Sequence, residues 1–88
     1  MLAQDVVVKS GSGLHAKPAT VLVRMASGHD CNVFIEKDGE RGSAKSILAI
    51  LALNVSTGTN IKIVTDGPGE KEALQELVEY IESLRDYM

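Results

Sequence analysis

The chain has 88 residues, 44% apolar and 24% charged, with two tyrosines, one phenylalanine and a formal net charge of −3. That length supports one aliphatic core and leaves no room for a second catalytic lobe or a deep enclosed site, so a single domain over residues 1–88 is expected. The longest apolar run, Ile47 to Leu53, is far short of the ~20 residues needed to cross a bilayer, and no charged-then-apolar leader opens the chain; a cytoplasmic protein without membrane insertion is expected.

Asp5-Val6-Val7-Val8 is a β-branched run closed by Ser10-Gly11-Ser12-Gly13, which predicts a strand leading into a loop. A helix should follow. Ala19, Leu22, Val23 and Ala26 recur at helical spacing, Pro18 is tolerated in a first turn, and Gly28 is a natural stop. Asn32 to Lys37 carries Val33, Phe34 and Ile35, and Asp38-Gly39 is a strong hairpin signal before Glu40 to Ser43. Ser46 then precedes the apolar run. Periodicity alone allows a buried strand there, while the Ala and Leu content and the Ser cap favour a short helix. Ile61 and Ile63 flank Lys62 in a strand pattern, and Asp66-Gly67-Pro68-Gly69 breaks the chain. Ala73, Leu74, Leu77, Val78, Ile81 and Leu84 line one face of a last helix, with Glu70 and Glu72 at the end where the helix dipole favours them. The order is βαββαβα, and the economical α+β architecture is a four-stranded antiparallel sheet with three helices on one face.

Charge is unevenly placed. Glu70, Glu72, Glu76, Glu79, Glu82 and Asp86 crowd the C-terminal stretch, whereas Lys9, Lys17, Arg24, Lys37, Arg41 and Lys45 lie in the first half. With no dense basic cluster and few aromatics for stacking, nucleic acid is a poor partner; the basic half suits an acidic protein surface or a single phosphate. The lone Cys31 excludes an internal disulfide and a cysteine-built metal cage. His29 is the only histidine besides His15, it reads as a loop residue after Gly28, and no ligand-spaced cluster accompanies either, so no metal and no cofactor are expected.

The stretch Gly13-Leu14-His15-Ala16-Lys17-Pro18-Ala19 places a histidine where Ser, Thr, Asp or Asn usually caps a helix. Three readings are open for His15: a structural or exposed side chain, a metal ligand, or phosphoryl chemistry. A hydrolase triad is disfavoured because the chain lacks a nucleophile elbow and the length to build a pocket. The first N–H groups of a helix have no internal partners, and the peptide dipoles place partial positive charge there. A phosphoryl group on His15 would therefore lie against the N–H groups of Ala16 and Lys17, with the Lys17 ammonium adding charge. The same field disfavours protonation of the imidazole, and a neutral ring nitrogen is what a nucleophile must offer. Gly11 and Gly13 leave the approach open to a large partner.

Those residues resemble the signature of the HPr family, the histidine-containing phosphocarrier proteins of the bacterial phosphoenolpyruvate-dependent sugar phosphotransferase system, and Ala44-Lys45-Ser46-Ile47-Leu48 resembles that family's regulatory-serine segment. The resemblance spans nearly the whole chain and implies an open-faced β-sandwich. It further implies that His15 accepts a phosphoryl group from enzyme I through Nδ1 and passes it to the IIA domains of sugar transporters, as a carrier and not an enzyme. Ser46, on its own residues a helix cap, would also be phosphorylated by a kinase/phosphorylase, the product acting with a catabolite control protein. The partner surface so implied comprises Ser12, Thr20, Arg24, Lys45, Ile47, Leu48 and Leu51. A short apolar helix in a two-layer domain cannot bury every side, so at least one of Ile47, Leu48 and Leu51 should face solvent. Lys17 departs from the arginine usual in the family and replaces a two-pronged phosphate grip by a flexible point charge. The alternative is a regulatory HPr-like module in carbon catabolite control acting mainly through phosphorylated Ser46, which Lys17 favours and an intact His15 opposes. A monomer is the simplest expectation.

Overall fold

A computed structural model describes residues 1–9, 13–14 and 16–84. The elements follow in the order β1 (Leu2–Val7), α1 (Ala16–Ser27), β2 (Asn32–Lys37), β3 (Glu40–Ser43), α2 (Ile47–Ala52), β4 (Asn60–Asp66) and α3 (Glu70–Ser83). The strands form one antiparallel sheet in the spatial order β1-β4-β2-β3, which carries the three helices. No described helix is long and apolar enough to cross a membrane.

Strand alternation explains the layering. Val6 lies opposite Ile61, and Ile35 opposite Ile63, in the register of β4 with its two neighbours, and all four are buried. They meet Leu22 and Ala26 of α1, Ile50 of α2 and Ala73, Leu77 and Ile81 of α3 in one aliphatic core. The other sheet face carries a row of alternating charge across all four strands, Asp5, Lys62, Glu36 and Arg41, with Arg41 paired to Glu36 and stacked on Phe34. The Asp38-Gly39 hairpin forms as expected, both residues taking positive φ (50° and 83°) to match the strand twist. The apolar run beginning at Ile47 is a helix, capped by Ser46, whose hydroxyl oxygen accepts the Ala49 N–H at 3.2 Å.

One local expectation is corrected, and one helix end that falls where expected is closed in its own way. The first strand begins at Leu2 and ends at Val7 because it pairs with β4 along its whole length, from Leu2 opposite Thr65 to Val7 opposite Asn60, a pairing invisible in the Asp5–Val8 composition. Gly28 does follow α1, but outside the left-handed region that favours glycine; the end is closed by Gly28 N–H on Met25 C=O and His29 N–H on Ala26 C=O. Leu84 is only partly buried and flanks the core.

The start of α3 is tied back by polar contacts. Thr65, the one buried polar residue among those described, donates its hydroxyl to Glu70 C=O at 2.9 Å. The Glu70 carboxylate accepts the Gly67 N–H at 2.9 Å and lies 3.1 Å from the Met1 ammonium, and these two contacts hold its pKa below the usual carboxylate range. A depressed carboxylate pKa contributes stability that is present above the unfolded value and lost as pH falls through the folded one. Melting temperatures of wild type and Glu70→Gln should therefore differ at pH 7 and converge as acid protonates the folded carboxylate; a difference that never narrowed on acidification would show that the carboxylate charge is not its source.

Candidate functional site

Residue 15 leads directly into α1, whose first residue is Ala16 and which runs for 12 residues. Ser12 and His15 lie outside the described residues, so the site is built from what flanks them. Gly13 adopts φ +66°, and a Cβ there would stand 2.2 Å from the Val55 carbonyl oxygen and 2.8 Å from the Ser56 Cα. Only glycine fits such an approach. Leu14 donates its N–H to that same Val55 oxygen at 3.0 Å, and its side chain is 2% exposed. Full burial of a leucine contributes about 2 kcal/mol, enough to anchor the residue immediately before His15.

The other end of the loop is fastened to the same connection between α2 and β4. Val8 N–H donates to Thr59 C=O at 3.0 Å, and Val8 C=O accepts the Gly58 N–H at 2.7 Å. Residues 54–59 thus hold the chain on both sides of the stretch between Val8 and Gly13. The sequence reading missed this buttress. Its signals were Asn54 and Gly58, residue types that tolerate the left-handed backbone they adopt here (φ 53° and 84°), although nothing local says what such a turn would touch.

The first turn of α1 contains no acidic residue, whereas that of α3 carries Glu70 and Glu72. The positive end of α1 is therefore left uncompensated by its own side chains, with exposed Lys17 adding to it, while α3 satisfies its own field. Lys17, Thr20 and Arg24 are all exposed and, three and four positions apart, share one face of α1. Ile47 (38% exposed), Leu48 (80%) and Leu51 (38%) form an apolar strip on α2, which packs against α1, and Ile50 alone of that helix turns into the core. All three face solvent, more than the minimum expected. Ser46 and the Leu14 anchor lie at opposite ends of α2, whose 6 residues span ~9 Å.

Lys45 is placed differently from Lys17 and Arg24. Its half-buried ammonium donates to His29 C=O at 2.9 Å, holding the start of α2 to the turn after α1. His29 is a loop residue, as expected, with Nε2 3.4 Å from a Glu76 carboxylate oxygen on α3.

A family model described as the PTS HPr component phosphorylation site matches residues 2–83. The chain belongs to the HPr family. Among relatives of this HPr-family protein, the HPr-like protein Crh of Bacillus subtilis is 42% identical over 82 residues, covering 93% of this chain and 96% of that one. The phosphocarrier protein HPr of Borreliella burgdorferi is 34% identical over 86 residues, covering 98% of this chain and 100% of that one. The crystal structure of HPr-C-His from Thermoanaerobacter tengcongensis superposes with a TM-score of 0.92 at 40% identity, covering 94% of this chain and 93% of that one. An HPr dimer from the same organism gives 0.75 at 41% identity, over 89% and 90% of the two chains. The family thus accounts for the βαββαβα order.

Proposed function

We propose that the protein is a single-domain cytoplasmic phosphoryl carrier, not itself an enzyme, which takes a phosphoryl group from enzyme I onto His15 and passes it to the IIA domains of sugar transporters. The observation that carries this reading is the entry to α1: Gly13 and Leu14 locked against Val55, then His15, then a helix start free of acidic side chains and bearing Lys17. A neutral ring nitrogen attacks the phosphorus, the bond from phosphorus to enzyme I breaks as the bond to nitrogen forms, and the N–H groups of the first turn donate hydrogen bonds to the phosphoryl oxygens. Transfer to IIA reverses the step. The basic face of Lys17 and Arg24 and the apolar strip of Ile47, Leu48 and Leu51 supply a shared docking surface for donor and acceptors, completed by Ser12, Thr20 and Lys45. Incubation with phosphoenolpyruvate and enzyme I should add one acid-labile phosphate by intact mass. No gain would reject the carrier role.

The likeness to Crh favours a second reading, a regulatory module of catabolite control working through phosphorylated Ser46 with a kinase/phosphorylase and a catabolite control protein. A protein that gains phosphate on Ser46 but none on His15 would be of this kind. The carrier reading takes the protein as a monomer; the HPr dimer among its relatives makes sedimentation at several concentrations the direct test.

Within the carrier reading, Ser46 is also a brake. A phosphate at the N-cap of α2 meets exposed N–H groups and a favourable dipole, so the fold should hold. New negative charge beside the docking surface repels the anionic phosphoryl donor. Ser46→Asp should slow enzyme I-dependent phosphorylation roughly tenfold at low salt and less at high salt, where screening weakens repulsion, with an unchanged melting temperature. Equal rates at low salt would leave Ser46 as a helix cap only.

A further inference from the structure

The buttress that holds Gly13 and Leu14 is itself held by a residue that is not part of the proposed docking surface. Lys37 ends β2, on the same side of the strand as buried Val33 and Ile35, and its side chain runs towards the far end of α2. There its ammonium donates to two successive carbonyls, Leu53 C=O at 3.0 Å and Asn54 C=O at 2.8 Å. These carbonyls lie where a helix has run out of internal donors, and α2 has no basic residue in its last turn to serve them. Leu53 caps the helix and Asn54 turns the chain through a left-handed conformation. Val55 follows at once, and its carbonyl takes the Leu14 N–H.

We propose that Lys37 is a positioning residue for phosphoryl transfer: by fixing the Leu53–Asn54 turn it sets the Val55 carbonyl that orients Leu14, and so the backbone entering His15. The path is short. It runs from the ammonium through a hydrogen bond to Asn54 C=O, across Val55 to that residue's carbonyl, through a second hydrogen bond to Leu14 N–H, and one residue on to His15. Val55 (2% exposed) and Leu53 (6%) are buried on either side of Asn54, so the turn has rigid walls, and its remaining freedom is the tilt of the peptide planes that Lys37 grips. Such a change of tilt costs little in core packing. It acts on geometry at the neighbouring loop, where small misplacement of a nucleophile lowers the rate. Lys37 touches neither the phosphoryl group nor the docking face in this scheme, and the role rests on the carrier reading above.

The test compares Lys37→Met, which keeps the length of the stem without its donors, with Lys37→Arg, whose guanidinium can serve both carbonyls. In Lys37→Met, amide exchange at Leu14 should speed up about five- to tenfold, the worth of an ordinary hydrogen bond, while Ile35 and Ile63 on the central strands keep their wild-type protection. The kcat of enzyme I-dependent phosphorylation should fall by a similar factor with KM within about twofold, because orientation and not docking is lost. Lys37→Arg should recover most of both effects. Wild-type Leu14 exchange and kcat in Lys37→Met would overturn the proposal. So would equal acceleration at Leu14, Ile35 and Ile63, which would make Lys37 a contributor to global stability only. A wild-type protein that took no phosphate would reject the carrier reading and this role with it, and Leu14 exchange would still report separately whether Lys37 orders the turn.

Discussion

Replacing His15 with alanine is expected to abolish the acid-labile phosphate that enzyme I and phosphoenolpyruvate install, with no remaining slow phase. A nucleophile that forms a covalent intermediate has no substitute within its own chain, so the loss should be complete and not partial. The core that holds the fold is assembled from Leu14, Leu22, Ile35, Ile50, Ile61, Ile63, Leu77 and Ile81, none of which the substitution alters. With the phosphoryl acceptor read as a helix-start residue open to its protein partners, melting should change by no more than a few degrees, on the scale of ~0.5 kcal/mol. Intact mass before and after mild acid, together with a thermal melt, decides the matter. Phosphate surviving on the variant, for instance at His29, would move the active residue elsewhere.

Gly13→Ala should produce the largest loss of stability of any single methyl addition at the site. Two costs combine. A non-glycine residue at φ +66° costs about 1 kcal/mol, and the new Cβ is directed at the Val55 carbonyl oxygen 2.2 Å away, a backbone atom that cannot swing aside. Relief requires moving Val55 or withdrawing Leu14, which breaks their hydrogen bond and exposes a buried leucine. A total of about 3 kcal/mol follows, which lowers the melting temperature of a domain this size by ~10–20 °C. Gly39→Ala is the matched control. Gly39 also has positive φ, 83°, but a Cβ there meets nothing within 4 Å, so only the conformational cost of about 1 kcal/mol remains. Transfer at His15 should suffer in Gly13→Ala and be spared in Gly39→Ala. Equal melting temperatures for the two variants would show that the contact with Val55 yields easily and that the loop entering α1 is not rigidly set.

Much of this protein was legible in its residues. The helices of Ala16–Ser27 and Glu70–Ser83 announce themselves by apolar periodicity, β2 and β3 by the Asp38-Gly39 turn between them, and α2 by Ser46 before an Ala- and Leu-rich run. Each signal is local, written within one or two turns of chain, and local sterics and hydrogen bonding suffice to read it. That at least one of Ile47, Leu48 and Leu51 would face solvent was legible for a different reason, since a helix apolar all round cannot bury every side in two layers; the structure exposes all three. The histidine motif and the serine segment likewise sit in contiguous stretches, and they place the chain in its family.

Tertiary structure decided what joins these pieces. That Leu2 to Gln4 extend β1 depends on β4, and the order β1-β4-β2-β3 is a choice among pairings that strand composition does not rank. The lysines make the point most sharply. Lys17, Lys37 and Lys45 are alike in sequence, yet one lies exposed at the start of α1, one grips the turn after α2, and one is spent on the His29 carbonyl. A lysine's flexible stem reaches whatever carbonyl the fold brings near, so its role follows from packing and leaves no local trace. Gly13 could be read as permissive, but its necessity comes from the Val55 carbonyl, a backbone atom from the far half of the chain that arrives only when the core closes on Leu14 and Val55.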